Sequence, residues 1–371
     1  MATKVPAGPT QEGFKHTIEV PTLPNAKELV GYVVADRWEF TTLQYETKPN
    51  TGGNFGVGYF VNDRVDRVER FIKVVDFRAR LADISQLTAL LQVANFEVEM
   101  HKYCVRMSKV VRMLEHGQLF FVTPDGREYS FLCLVLEKGE GDIKSHVNFL
   151  PDQSPYWKLW VLRDVALAAT QIERGNLAHN DIKPSNVIRF ESKGTEHNIK
   201  LGDIGRAVTK SGSGPFDGID WAGDPRHRPI ELMYGWKEPE FQNRHTAADA
   251  YMLGNLMSFL FVGASLTERI VNSLPAEHRP GVHQGSYEQV LDIVRHAWMT
   301  VVREQIAPSF PPEVRQELTA LLLCLTDPDP RVRGDAAARR QGLVGMDRIH
   351  SKLELLAKRS LIHERVSAGS Q

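Results

Sequence analysis

Between residues 178 and 187 the chain reads Ala178-His179-Asn180-Asp181-Ile182-Lys183-Pro184-Ser185-Asn186-Val187. A carboxylate, a lysine and an amide stand close together on one short polar segment. A second carboxylate, Asp203, follows the apolar-leaning run Ile199-Lys200-Leu201-Gly202 and opens Asp203-Ile204-Gly205. Carboxylate and amide oxygens are hard donors of the kind Mg2+ prefers. A lysine ammonium is a compact positive charge. Taken alone, the first segment reads equally well as a polar turn between two strands. Joined to Asp203 at this distance, it points to chemistry on charged groups.

The two segments resemble the catalytic loop and metal-binding turn of protein kinases, His-Arg-Asp-x-Lys-x-x-x-Asn and its variants and Asp-Phe-Gly. The spacing of Asp181, Lys183 and Asn186 fits the Ser/Thr form of that loop. Phosphoryl transfer asks mainly for positioning and charge neutralisation. The resemblance implies that Asp181 accepts or orients the substrate hydroxyl proton and that Lys183 neutralises the γ-phosphate. It makes Asn186 and Asp203 the Mg2+ ligands, and Ile188 part of the nucleotide pocket. Asn180 stands where most regulated members have Arg.

The resemblance extends upstream. Phe71-Ile72-Lys73 occupies the place of Val-Ala-Ile-Lys, which makes Lys73 the holder of the α- and β-phosphates of ATP. A lysine that interrupts an apolar strand needs a partner or a function. Its family partner is a helical Glu, and both Glu97 and Glu99 compete. Glu97 shares a face with Leu90, Ala94 and Cys104, whereas Glu99 sides with Gln92, Asn95 and Lys102, so Glu97 is expected. The run Thr51-Gly52-Gly53-Asn54-Phe55-Gly56-Val57-Gly58-Tyr59 resembles the glycine-rich loop whose amides cover the phosphates, which assigns Gly52, Gly53, Gly56 and Gly58 to nucleotide binding. Thr51 falls where the first Gly belongs, Gly58 where a Val packs on adenine, and Phe71 where a small Ala does. Leu136-Glu137-Lys138-Gly139 resembles the hinge, with Leu136 as gatekeeper and Glu137 at the adenine edge.

Downstream, Gly223-Asp224-Pro225-Arg226-His227-Arg228-Pro229-Ile230-Glu231 resembles the end of the activation segment, with Asp224 in place of a Thr. Asp249-Ala250-Tyr251-Met252-Leu253-Gly254 resembles the central-helix motif whose Asp caps the catalytic loop. Asp329-Pro330-Arg331-Val332-Arg333 resembles the motif whose Arg pairs with the activation-segment Glu, so Arg333 is expected on Glu231. Thr209, Ser211 and Ser213 are phosphorylatable, with Arg206 and Lys210 nearby as cations. Without an Arg at 180, activity is expected not to require phosphorylation of this loop.

These groups need elements to position them. Residues 71–75 and 131–136 read as short buried strands. Leu87, Leu90, Leu91, Ala94, Val98 and Cys104 recur at helical spacing between them. A second helical face, Leu159 to Ile172, stops at Gly175. Tyr251–Phe261 is apolar nearly all round and reads as a central helix, and Val314–Leu325 as another, ended by Asp327-Pro328-Asp329-Pro330. Residues 264–312 carry no recognisable motif.

The 371 residues hold 45 Lys+Arg against 46 Asp+Glu, a net charge of −1, which leaves no electrostatic footprint for nucleic acid or an anionic membrane. No apolar run approaches the roughly 20 residues of a membrane helix. Cys104, Cys133 and Cys324 show no metal-ligand spacing and are expected as free thiols in a cytoplasmic protein.

The expectation is an α+β, bilobal protein-kinase-like fold. Residues 1–40 form an N-terminal extension, 41–138 a small antiparallel-sheet lobe, 139–345 a mainly helical lobe and 346–371 a helical tail. The resemblance is to a divergent eukaryotic-like Ser/Thr kinase, using ATP and Mg2+ on a protein substrate, with no nucleic-acid or membrane partner. A pseudokinase scaffold and a small-molecule kinase on the same core are the alternatives, with a metal-dependent hydrolase more remote.

Overall fold

The computed structural model describes residues 13–45, 56–78, 84–150, 152–191, 197–212, 214–219 and 223–369. The chain divides into two compact units, Met1–Arg106 with Val111–Gly139 and Met107–Val110 with Glu140–Gln371.

The first unit is a seven-stranded sheet with one long helix. Its strands are β1 (Phe14–Glu19), β2 (Val33–Val34), β3 (Trp38–Tyr45), β4 (Gly56–Asp63), β5 (Val68–Asp76), β6 (Met113–Val122) and β7 (Glu128–Leu136), in the order β1-β6-β7-β5-β4-β3-β2. The strand pleat sends alternate side chains to opposite faces. On one face Ile72, Val74, Cys133 and Val135 join Trp38, Tyr59 and Phe121 in a core. On the other, Val75, Leu132 and Leu134 meet Leu90, Ala94 and Val98 of α1 (Ile84–Tyr103). Lys73 therefore emerges on the α1 face.

Two expectations change here. Residues 14–40 are no appendage: Val20, Ala26, Leu29, Val34 and Trp38 lie in the core, and Tyr59 donates from its hydroxyl to the Ala26 carbonyl at 2.6 Å. The prolines of this stretch break any helix, but they do not prevent β1 from joining the sheet. The sheet is also not wholly antiparallel, because β1 pairs parallel with β6, Phe14 opposite Gly117 through Glu19 opposite Val122.

The second unit is mainly helical. Its helices are α2 (Ile143–Phe149), α3 (Pro155–Arg174), α4 (Ile230–Met233), α5 (Ala247–Val262), α6 (Leu266–Ser273), α7 (Tyr287–Thr300), α8 (Arg315–Thr326), α9 (Ala336–Arg339) and α10 (Met346–Gly369). Short strands β8 (Gly141–Asp142), β10 (Val187–Phe190) and β11 (Asn198–Leu201) form one small sheet, and β9 (Leu177–Ala178) pairs with β12 (Val208–Thr209). Helix α3 starts with Ser154 accepting from the Trp157 N–H and stops at Gly175. Helix α5 is buried nearly throughout. Gly254 lets it approach α8, where an added Cβ would collide with Thr326. Among the described residues no single helix is long and apolar enough to cross a membrane.

Candidate active site

The residues singled out by sequence fall into two sets, one in each unit. In the first unit, Lys73 sits on β5 with Nζ 2.7 and 2.8 Å from the two carboxylate oxygens of Glu97. Glu97 is 6% exposed. Glu99 instead meets Lys102 on the solvent side. Helical geometry separates the two glutamates, since only Glu97 shares the inward face of α1 with Leu90, Ala94 and Val98.

Gly56 and Gly58 lie on β4, with Gly58 directly opposite Lys73 in the ladder. A Cβ built on Gly56 would stand 2.9 Å from Lys73 Cε and 3.0 Å from Cγ. The missing side chain is thus the space that the lysine stem fills, a packing requirement that sequence alone does not separate from phosphate binding. Gly52 and Gly53 lie outside the described residues. Phe71, on the same face of β5 as Lys73, meets Phe60 edge to face at 6.5 Å. Lys138 covers Phe60 at 4.6 Å. Leu136 also faces α1, partly buried. Glu137 binds its own unit twice: its carboxylate accepts from the Arg112 N–H at 2.8 Å, and its N–H donates to the Arg112 carbonyl at 3.0 Å. That N–H is therefore already paired within the unit.

The second set is built around Asp181, 1% exposed. Lys183 Nζ lies 3.1 and 2.9 Å from its two oxygens. The Asn186 amide N–H donates to Asp181 Oδ2 and to its carbonyl, at 3.1 and 2.9 Å. The backbone N–H of Asp224 donates to Oδ1 at 3.0 Å. Both oxygens are engaged, so the carboxylate is fixed in place rather than free to rotate. Lys183 also lies 3.9 Å from the Asp224 carboxylate. Burial works against ionisation of Asp224, but hydrogen bonds from Arg226 and the charge of Lys183 hold its carboxyl well below the usual range.

The loop backbone is held from beneath. Asp249, at the start of α5, accepts the N–H groups of His179 and Asn180 at 2.7 and 2.8 Å. Burial pushes its carboxyl up to about 7 despite those two bonds. His179 accepts the Asp181 N–H at Nδ1, 3.2 Å, and donates from Nε2 to the Gly202 carbonyl, 3.0 Å. Burial keeps this ring neutral, which that arrangement requires. The Gly202 N–H donates to the Asn186 carbonyl at 2.8 Å, setting the Asp203 turn beside Asn186. Asn180 and Asp203 both take left-handed backbone, φ 55° and 58°, which Asn and Asp tolerate best among non-glycine residues. Ile188 lies on β10 between Lys200 and Asp142.

Arg333 is fully buried and reaches both oxygens of Glu231 at 2.9 and 2.7 Å. It also donates to the Ala247 and Asp327 carbonyls. The segment of Glu231, the start of α5 and the segment of Asp327 thus converge on one guanidinium.

Sequence reasoning missed three participants. Arg226 grips Asp224 through Nε and Nη2 at 3.2 and 2.9 Å. His245 lies with Nδ1 3.3 Å from the Asn180 amide nitrogen. Asp217 accepts the Thr209 N–H and hydroxyl at 2.9 and 3.0 Å.

No family model matches the chain. Mitogen-activated protein kinase 13 of Oryza sativa, in both the indica and japonica subspecies, is 24% identical over 169 residues, covering 44% of this chain and 32% of the relative. Mitogen-activated protein kinase 12 of the japonica subspecies is 23% identical over 169 residues, 44% of this chain and 28% of the relative. The matched stretch spans about a third of these relatives' length. This distant similarity supports a protein-kinase-like relationship.

Proposed function

We propose that the protein transfers the γ-phosphate of ATP to a Ser or Thr hydroxyl of a protein substrate. The observation that carries this reading is the fixed Asp181: Lys183, Asn186 and the Asp224 N–H together orient one carboxylate so that it can accept a hydroxyl proton. Lys183, beside it, would meet the charge that develops on the transferred phosphoryl group. Lys73, set by Glu97, would hold the α- and β-phosphates.

Among the described residues no cluster of three or more acidic, His or Cys side chains could hold a metal alone. That suits Mg2+ bound with a nucleotide, which uses one or two protein oxygens plus phosphates and water. The Asn186 amide spends its N–H on Asp181, which leaves its oxygen as a donor beside the Asp203 turn. Asp203 and Asn186 would hold the ion, whose charge would neutralise the phosphate oxygens.

The Glu231–Arg333 pair favours a protein substrate, since the small-molecule kinases on this core lack that arrangement. The test is transfer of radiolabelled γ-phosphate from ATP to the protein itself or to added proteins, with Asp203→Ala as control. Label that appears with the native chain and vanishes with the variant supports the assignment. Equal labelling by both overturns it.

A further inference from the structure

The Asp224–Arg226 pair has a geometry that phosphoryl transfer alone does not require. Asp224 binds the catalytic carboxylate through its backbone N–H, while its side chain accepts from the backbone N–H, Nε and Nη2 of Arg226, at 3.0, 3.2 and 2.9 Å. One acidic residue therefore locks an arginine to the residue that touches Asp181. Yet the Arg226 side chain is 65% exposed. Its contacts use one edge of the guanidinium, and among the described residues Nη1 takes no partner.

An arginine fixed in this way has already lost its rotamer freedom, so a ligand that meets its open edge gains binding without that entropic cost. A guanidinium edge takes carboxylate or phosphate oxygens with charge-assisted hydrogen bonds. Another cation stands nearby. Lys183 lies beside the pair, its Nζ 3.9 Å from the Asp224 carboxylate. Of the acids beside Arg226, Asp181 is paired with Lys183 and Asp224 with Arg226 itself.

We propose that Arg226, held by Asp224 beside the catalytic Asp181, is a specificity residue that selects protein substrates with an acidic side chain close to the phosphoacceptor. The proposal rests on the kinase reading for the transfer step, but the recognition itself needs no phosphoryl transfer, and the two can be separated by experiment.

Three serine peptides, identical except for Glu, Ala or Lys at the three positions on each side of the serine, are compared on the full chain. Binding is read by fluorescence anisotropy without ATP, and phosphorylation with ATP and Mg2+. The Glu peptide should bind about tenfold more tightly than the Lys peptide. Arg226→Ala should remove most of that ratio, Arg226→Lys should retain part of it, and Arg226→Glu should reverse it. Circular dichroism confirms that each variant folds. Equal binding of the three peptides, or a Glu preference unchanged in folded Arg226→Ala, overturns the proposal. A Glu preference in binding that Arg226→Ala removes, with no label passing from ATP to the chain itself, to added proteins or to any peptide, keeps the acidic-ligand site and sinks the kinase reading instead.

Discussion

The backbone N–H of Asp224 donates to Oδ1 of Asp181 at 3.0 Å. The carboxylate read from the loop sequence is thus held by a residue 43 positions further along the chain, as well as by its own neighbours Lys183 and Asn186. Removing its charge while keeping its shape is the cleanest test. Asp181→Asn keeps the size and one acceptor oxygen, but it cannot take up a proton and its N–H group meets donors where the second oxygen accepted. It should reduce phosphoryl transfer by about 10²–10⁴-fold while the circular dichroism spectrum still shows a folded chain. Asp181→Ala is a poorer probe, because besides leaving Lys183 without its carboxylate it empties the buried space that the side chain fills. Transfer at the native rate by folded Asp181→Asn would remove Asp181 from the site.

Gly56 and Lys73 make a second test in the first unit. An alanine Cβ would press on the lysine stem at Cγ and Cε, closer than real Cβ contacts lie. The ammonium group must then shift from its position between the Glu97 oxygens. Gly56→Ala should raise the KM for ATP and lower kcat/KM by about tenfold or more, since small displacements of positioning groups cost rate steeply. Steady-state kinetics against ATP concentration measures this, and unchanged constants would show that Lys73 does not depend on the gap.

Much of this was legible from residue order, for physical reasons. The strand carrying Lys73 announced itself by Phe71, Ile72, Val74 and Val75, a β-branched apolar run broken by one charge. The choice of Glu97 over Glu99 followed from helical periodicity. Residues 14–40 misled, because prolines that rule out a helix leave an edge strand and an irregular core-packing segment open. Residues 264–312 showed no motif, yet local signals were present. Ser265 caps α6 on Glu268, and Ser286 with Gln289 forms a capping box for α7. The contacts of Arg226, His245 and Asp217 could not be read at all, since each depends on how a loop folds back on itself or against a distant turn.

Arg333 is the largest buried cation in the second unit, and four acceptors on three segments depend on it: Glu231, through both oxygens, and the carbonyls of Ala247 and Asp327. Replacing it strands the Glu231 carboxylate in the interior. Arg333→Ala should destabilise the chain by about 3–5 kcal/mol, the usual result of breaking one side of a buried pair. Arg303→Ala, on an exposed side chain, should cost under about 0.5 kcal/mol. Denaturant titration of both variants measures the difference, and equal losses would contradict the role assigned to the pair.

Two histidines give the second unit an acid limit. Burial, the first cause in each, lowers the pKa of His227 and of His245 from 6.5 to about 4. The folded chain therefore binds fewer protons at these rings than the unfolded chain does. Their contribution is complete above about pH 6.5 and is lost as pH falls through about 4. His245 matters for the site as well, because a protonated Nδ1 cannot accept from the Asn180 amide. Melting temperature should fall as pH is lowered from 6.5 to 4, and the double replacement His227→Gln, His245→Gln should flatten that slope. An identical slope in the double variant would move the acid sensitivity to other groups.

The last expectation concerns how the loop before Asp224 stays in place. Asn180 carries no charge, and its side-chain nitrogen is turned to His245, so it offers no anchor for a phosphorylated residue. The loop is tied by other means. Strand β12 pairs with β9 immediately before His179, and the Lys210 N–H donates to the Asn176 carbonyl at 2.9 Å. Asp217 then accepts the N–H and hydroxyl of Thr209 and the N–H of Gly214. A carboxylate built into the chain thus gathers the donors that order this turn. Replacing Thr209, Ser211 and Ser213 together by Ala (Ser213 lies outside the described residues) should leave most of the activity, since the backbone donors to Asp217 remain. Asp217→Ala should lower activity, because those N–H groups lose their acceptor. Thr209→Glu should lower it too, since a second carboxylate would face Asp217 at a distance set for a hydrogen bond. Phosphorylation of an external protein, measured for all three variants, decides the matter. A large loss in the triple Ala variant that acidic replacements restore would show instead that the loop is switched on by phosphate.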